Sequence, residues 1–103
     1  MQIKLYRRDD GQVPFDRWLS NLRDKRAKAR VLIRLDRLQL GNIGDTKFIG
    51  EGVSELRINE GKGYRVYYGC DSKEVVILLC GGDKSKQQSD IKLAKKYWSK
   101  YCE

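Results

Sequence analysis

Residues 55–87 read ELRINEGKGYRVYYGCDSKEVVILLCGGDKSKQ, and the fold turns on how this stretch is read. Apolar and polar residues alternate through Glu55–Asn59 and again through Tyr64–Tyr67, which predicts two strands joined by the Gly61-Lys62-Gly63 turn. Side chains on a strand alternate between faces. Leu56 and Ile58 therefore share one face and Arg57 takes the other. On the next strand Tyr64, Val66 and Tyr68 share a face, with Arg65 and Tyr67 opposite. In register, the hairpin sets two arginines and a tyrosine together on the side away from the core. Val75 to Cys80 is apolar without alternation, the pattern of a central strand covered on both faces. Gly81-Gly82-Asp83-Lys84-Ser85-Lys86 then reads as a flexible turn that adds two lysines to the same end of the sheet.

Upstream, Gln2-Ile3-Lys4-Leu5-Tyr6 alternates and reads as a short first strand with Ile3 and Leu5 inward. Pro14, the single proline, suits the first turn of a helix, where its missing N–H has no partner to lose. Phe15, Trp18, Leu19 and Leu22 recur at i, i+3, i+4 and i+7, one buried helix face, and Trp18 reads as a core anchor rather than a base-stacking platform. Asp24 is placed to cap a second helix that Gly41-Asn42 stops, with Ala27, Val31, Leu35 and Leu38 inward and Ile33 on the flank. The two helices should form an antiparallel hairpin on the sheet. Within the glycine-bearing 42–52 segment, Thr46–Ile49 offers a further short strand. After the sheet, Ser85 or Ser89 is a candidate cap for a last helix. Its one face carries Ile91, Ala94, Trp98 and Tyr101, with Tyr97 beside them and Leu93 off the stripe. The expected architecture is α+β, with element order β-α-α-β-β-β(-β)-α and a mainly antiparallel twisted sheet packed by helices, in a single domain spanning 1–103.

The chain carries 22 Lys and Arg against 14 Asp and Glu, a net charge of +8, which points to an anionic partner, nucleic acid first and an acidic protein segment next. The second helix concentrates this charge: Arg26, Lys28, Arg30, Arg34 and Arg37 stand there with Arg23 and Lys25, against only Asp24 and Asp36. Such a run is either a solvated face or a stripe that tracks phosphates. No apolar run approaches the roughly 20 residues that span a bilayer, and the N-terminus has no signal-peptide core, so a cytoplasmic protein without membrane contact is expected. The three cysteines form no C-x-x-C pair, and Cys80 reads as a small core residue. With no histidine anywhere, a His-based triad is excluded, and neither a metal site nor a cofactor is expected. Lys, Arg, Tyr, Asp and Glu are left to run any chemistry.

One chemistry suits such a set. In RNA cleavage by the 2′-hydroxyl, negative charge gathers on the non-bridging oxygens of a phosphorane-like transition state, and forked, permanently charged guanidinium groups stabilise it. A lysine crowded by other cations loses proton affinity and can serve in acid–base catalysis, and a tyrosine can donate a proton or stack on a base. Arg57, Arg65, Lys84, Lys86, Tyr67 and Lys47 fit these roles. The same residues also fit simple phosphate binding.

Nearly the whole chain resembles the RelE/ParE toxin superfamily, in its HigB-like branch of addiction module killer proteins. The resemblance is carried by the basic helix Ala27–Leu38 with its Gly41-Asn42-Ile43-Gly44-Asp45-Thr46-Lys47 exit, by Gly52-Val53-Ser54-Glu55-Leu56-Arg57-Ile58, by Gly63-Tyr64-Arg65-Val66-Tyr67-Tyr68, and by Gly81-Gly82-Asp83-Lys84-Ser85-Lys86-Gln87. It implies a RelE-like fold and the toxin of a type II toxin–antitoxin module, a ribosome-dependent mRNA interferase neutralised by a small helix-turn-helix antitoxin encoded beside it. On that basis Arg57, Arg65, Lys84, Lys86 and Tyr67 are the expected catalytic residues. Lys47, Arg26, Lys28, Arg30, Arg34 and Arg37 are the expected RNA or ribosome contacts. The chain departs from RelE in carrying Gln87 and Gln88 where RelE has a tyrosine early in its last helix, and it has no histidine for the histidine-dependent members' chemistry. A ParE-like inhibitor of DNA gyrase without nuclease activity and a non-catalytic nucleic-acid-binding module are the competing classes.

Overall fold

The computed structural model describes all 103 residues. In chain order it contains β1 (Gln2–Leu5), α1 (Pro14–Asn21), α2 (Lys25–Gln39), β2 (Thr46–Gly50), β3 (Val53–Ile58), β4 (Tyr64–Ser72), β5 (Val75–Asp83), a 3₁₀ turn (Lys84–Lys86) and α3 (Gln87–Tyr101). The architecture is α+β, with three helices on a five-stranded mixed sheet in the order β1-β5-β4-β3-β2. After β1 the chain crosses to the far edge through α1 and α2, then returns as an antiparallel meander from β2 to β5. That return lays β5 parallel to β1, and the other three pairings are antiparallel.

Local chemistry accounts for the element ends. Pro14 occupies the first turn of α1. Asp24 caps α2 by accepting the Ala27 N–H at 3.0 Å, and Gly41 ends that helix with φ +89°. The β2–β3 turn is Glu51-Gly52, both at positive φ (54° and 82°), the hairpin geometry whose twist matches the flanking strands. The start of α3 differs from the sequence expectation. Neither serine caps it; instead Asp83 accepts the Ser85 N–H at 2.9 Å and sets up the 3₁₀ turn.

The β3–β4 hairpin sets Arg57 opposite Arg65 and Ile58 opposite Tyr64, which brings the two arginines together on one face. Leu56, Ile58, Tyr64, Val66, Tyr68, Val76 and Leu78 form one apolar face, covered by Phe15 of α1 and by Ala27, Val31 and Leu38 of α2. α1 lies over β5 and α2 over β3. Leu5, expected inward, is 39% exposed, because β1 is an edge strand at which the helical cover runs out.

The opposite face is a second core and not an open surface. Val53, Tyr67, Ile77, Leu79 and Cys80 are buried there beneath Ala94 of α3, with Ile91, Tyr97 and Trp98 packed against them. Burial pushes the Cys80 thiol up to about 12, so it is a core residue and not a nucleophile. A register shift between the Tyr67–Cys80 and Tyr68–Leu78 pairs leaves Leu79 as an extra residue, and Leu79 and Cys80 both reach the α3 side.

Gly81 and Gly82, read from sequence as a flexible turn, belong to β5. Their missing side chains make room: a Cβ at Gly81 would overlap the Trp18 ring, and one at Gly82 would overlap the Asp90 carboxylate. Gly69 does the same on the α3 face for Trp98. Each tryptophan thus seats on a glycine of the sheet, one per face. Gly81→Ala and Gly69→Ala are each expected to destabilise the protein by about 1–3 kcal/mol through overpacking, read as a lowered denaturation midpoint at unchanged m-value.

No helix is long and apolar enough to cross a membrane.

Candidate functional site

Two rows of side chains cross the α3 face of the sheet. Lys47, Glu55, Tyr67 and Cys80 are successive partners across β2, β3, β4 and β5; Arg57, Arg65 and Gly82 form the next row. α3 runs over β5 and β4 and leaves the β2–β3 margin open, so Lys47 is exposed and the Arg57 side chain is 34% exposed. The Arg65 side chain, nearer α3, is 13% exposed.

Glu55 organises this corner. It is completely buried, and its two oxygens face the two arginines, Oε1 at 3.1 Å from Arg57 Nε and Oε2 at 3.5 Å from Arg65 Nε. Gln87, in the first turn of α3, donates its amide to Oε2 at 2.9 Å. Burial by itself would raise the Glu55 pKa. Hydrogen bonds from Arg57 and Gln87, together with the Arg65 charge, outweigh it and hold the carboxyl below its ordinary value. Glu55 is therefore an anion at neutral pH, hydrogen-bonded to Arg57 and paired by charge with Arg65, and it offsets the repulsion between the two guanidinium groups.

Tyr67 is the clearest correction among the expected catalytic residues. It is completely buried, its hydroxyl is enclosed beside Glu55, and burial together with that carboxylate pushes its pKa up. The phenol, expected on an open face, is instead enclosed beneath α3 as part of the second core. The lysines of the 3₁₀ turn separate. Lys84 packs beside Gly63 and Arg65, and its N–H is bound to Gly63 O at 3.0 Å. Lys86 instead lines a cleft of about 580 Å³ on the α1 side with Trp18, Tyr64, Asp83 and Asp90. Arg57, Arg65 and Lys84 are brought together with Lys47 in the adjoining row, while Lys86 is set apart.

The basic helix also divides. Arg34 turns inward, donating to the backbone oxygens of Arg57, Ile43 (3.2 Å) and Asp45 (3.1 Å), so it ties α2 to β3 and to the loop before β2. Burial accordingly lowers its pKa from the ordinary value. Arg26 and Arg30 flank Glu60 at 3.8 and 3.7 Å. Arg30 and Arg37 line a groove of about 340 Å³ that reaches Asn59, and a second groove of about 350 Å³ continues from Asn59 past Lys62 to Arg65 and Lys84. Helical spacing puts Lys28 on the other flank of α2 from Arg26, Arg30 and Arg37. Four of the five expected α2 contacts therefore remain at the surface, and Arg34 is a structural tie.

Sequence reasoning missed Glu55 and Gln87. The signal for Glu55 was present, since a residue two before Arg57 shares its strand face. For Gln87 there was no local signal, because its partner lies 32 positions away.

The arrangement is chemically one-sided. Two fixed guanidinium groups with a net positive balance border a lysine-lined groove, which suits binding and charge stabilisation of a phosphodiester. The protein is thus a small basic α+β domain with its paired arginines at one end of the sheet. Residues 17–99 match the family described as Phage derived protein Gp49-like (DUF891). A protein of Haemophilus influenzae described as an uncharacterized protein is 58% identical over 81 residues, which cover 79% of this chain and 82% of that protein. The chain belongs to the phage-derived Gp49-like family.

Proposed function

We propose that the chain is the toxin of a toxin–antitoxin pair and acts as an endoribonuclease on mRNA at the ribosome. The observation that carries this reading is the Arg57–Arg65 pair on one buried carboxylate, with Arg65 also lining a groove beside Lys62 and Lys84 that meets, at Asn59, a second groove lined by Arg30 and Arg37. Membership in a toxin-like, addiction-module family supports the first part. The RelE/ParE resemblance of the same strands supports the second. Residues 1–103 would act as one domain, in the cytoplasm, where the mRNA and a cognate antitoxin would be met.

In the proposed reaction an mRNA phosphate sits against Arg57 and Arg65, with flanking phosphates along Lys84, Lys62 and Lys47. The 2′-hydroxyl oxygen attacks the adjacent phosphorus while the bond from phosphorus to the 5′-oxygen breaks. Solvent water accepts the 2′-hydroxyl proton and water supplies one to the departing 5′-oxygen. The guanidinium groups meet charge that grows only in the transition state, which raises the rate and not merely the affinity. Glu55 and Gln87 act as positioning residues. The products are a 2′,3′-cyclic phosphate, or a 3′-phosphate after its hydrolysis, and a 5′-hydroxyl. End-group analysis of mRNA cleaved on translating ribosomes tests the route. Ends bearing 5′-phosphate and 3′-hydroxyl would overturn the 2′-hydroxyl mechanism, and gyrase arrest with intact mRNA would overturn the ribonuclease reading.

A further inference from the structure

The outward side of α2 carries an apolar strip, although the helix is the most basic segment of the chain. Ala29, Leu32, Ile33 and Leu40 are all exposed, Leu32 at 46%, Ile33 at 42% and Leu40 at 80%. Their spacing puts them on one side of the helix, with Asp36 the acidic residue between them, while Ala27, Val31 and Leu38 fill the core from the other side. The strip is about three turns long. Arg26, Arg30 and Arg37 border it on one margin; Lys25 and Lys28 lie towards the other. Exposed β-branched and leucine side chains in a row, rimmed by charge of one sign, are the composition of a protein-binding helix face. RNA would gain nothing from the apolar strip, since its affinity comes from the phosphates. A second copy would bring its own cations against these, in a chain with a net charge of +8.

We propose that this face is the docking surface for an acidic amphipathic helix of the antitoxin, whose apolar stripe would cover Leu32, Ile33 and Leu40 while its carboxylates meet the arginine margin. The proposal rests on the toxin–antitoxin reading above and adds the place and chemistry of the contact. It also separates neutralisation from the Arg57–Arg65 corner. Losing the contact must release the toxin and leave its chemistry intact.

The test uses the full chain and the purified product of the adjacent reading frame. Leu32→Asp and Ile33→Asp, each exposed and outside the basic groove, are expected to weaken that complex on the order of 100-fold by calorimetry. Both should melt as wild type does, cleave mRNA on ribosomes at the wild-type rate, and resist rescue of growth by the co-expressed partner. Wild-type affinity in both variants would overturn the docking site and leave the toxin–antitoxin reading standing. Unchanged affinity with impaired ribosome cleavage would assign the face to RNA or the ribosome. Concentration-dependent dimers of the wild type, abolished by Ile33→Asp, would assign it to a second copy. If the adjacent product neither binds wild type nor rescues growth, the toxin–antitoxin reading falls, and the docking site with it.

Discussion

Arg65→Ala is expected to lower mRNA cleavage on translating ribosomes by roughly 30- to 1,000-fold, which corresponds to about 2–4 kcal/mol of lost transition-state stabilisation. The loss should fall on kcat, because a guanidinium placed against the phosphorane oxygens acts when their charge develops. Arg65 is not a freely removable surface residue. Its side chain is 13% exposed and it shares the Glu55 carboxylate with Arg57, so truncation leaves that buried anion with one cation fewer. A stability loss on the order of 1–3 kcal/mol should accompany the activity loss. Arg65→Lys separates the two effects. A lysine keeps the positive charge but loses the planar fork, so it should retain more stability than alanine and still lose most of the cleavage. Arg57→Ala, in the more exposed position, should show a smaller defect of the same kind. Wild-type cleavage by a folded Arg65→Ala protein would remove Arg65 from the active site.

Glu55→Ala is expected to be among the most destabilising single substitutions in the chain, by about 2–4 kcal/mol, because it strips the partner from two guanidinium groups at the margin of a core. The pH dependence of stability should carry the same signature. Glu55 is held below its ordinary value near 4.5, so the stability it contributes is fully present above that pH and is lost as pH falls through the lower folded value. Urea unfolding followed from pH 7 down to about pH 3 should show that acid limb in wild type and a flatter one in Glu55→Gln. Glu55→Gln should also cleave poorly, since a neutral amide holds the two arginines less firmly side by side. An acid limb unchanged by Glu55→Gln would show that the carboxylate is not what organises the corner.

Features that depend on neighbours along the chain were mostly legible in the sequence, the Asp83–Ser85 contact before α3 being an exception. Alternation through Glu55–Asn59 and Tyr64–Tyr67 placed both strands and the face each side chain takes, because a side-chain period of two is local. Pro14, Asp24 and Gly41 marked helix ends by backbone rules that involve only the next few residues. The Phe15–Leu22 and Ile91–Trp98 periodicities told which faces would be packed, whereas Tyr101, expected on the same stripe, is exposed at the end of α3. Tertiary structure alone decided what covers each face. A strand with one apolar side reads the same whether its other side meets water or a helix, so Tyr67 looked available until α3 closed over it. The uniform Val75–Cys80 run hid the extra residue at Leu79, since a pattern without alternation has no phase to slip. Gly81 and Gly82 read as a turn because nothing nearby in sequence reveals Trp18 and Asp90 waiting for the space. The Glu55 network joins β3, β4 and the first turn of α3, and Arg34 joins α2 to β3. Such contacts form only when burial makes an unpaired charge costly, a condition that the packed chain imposes and that no single stretch of sequence contains.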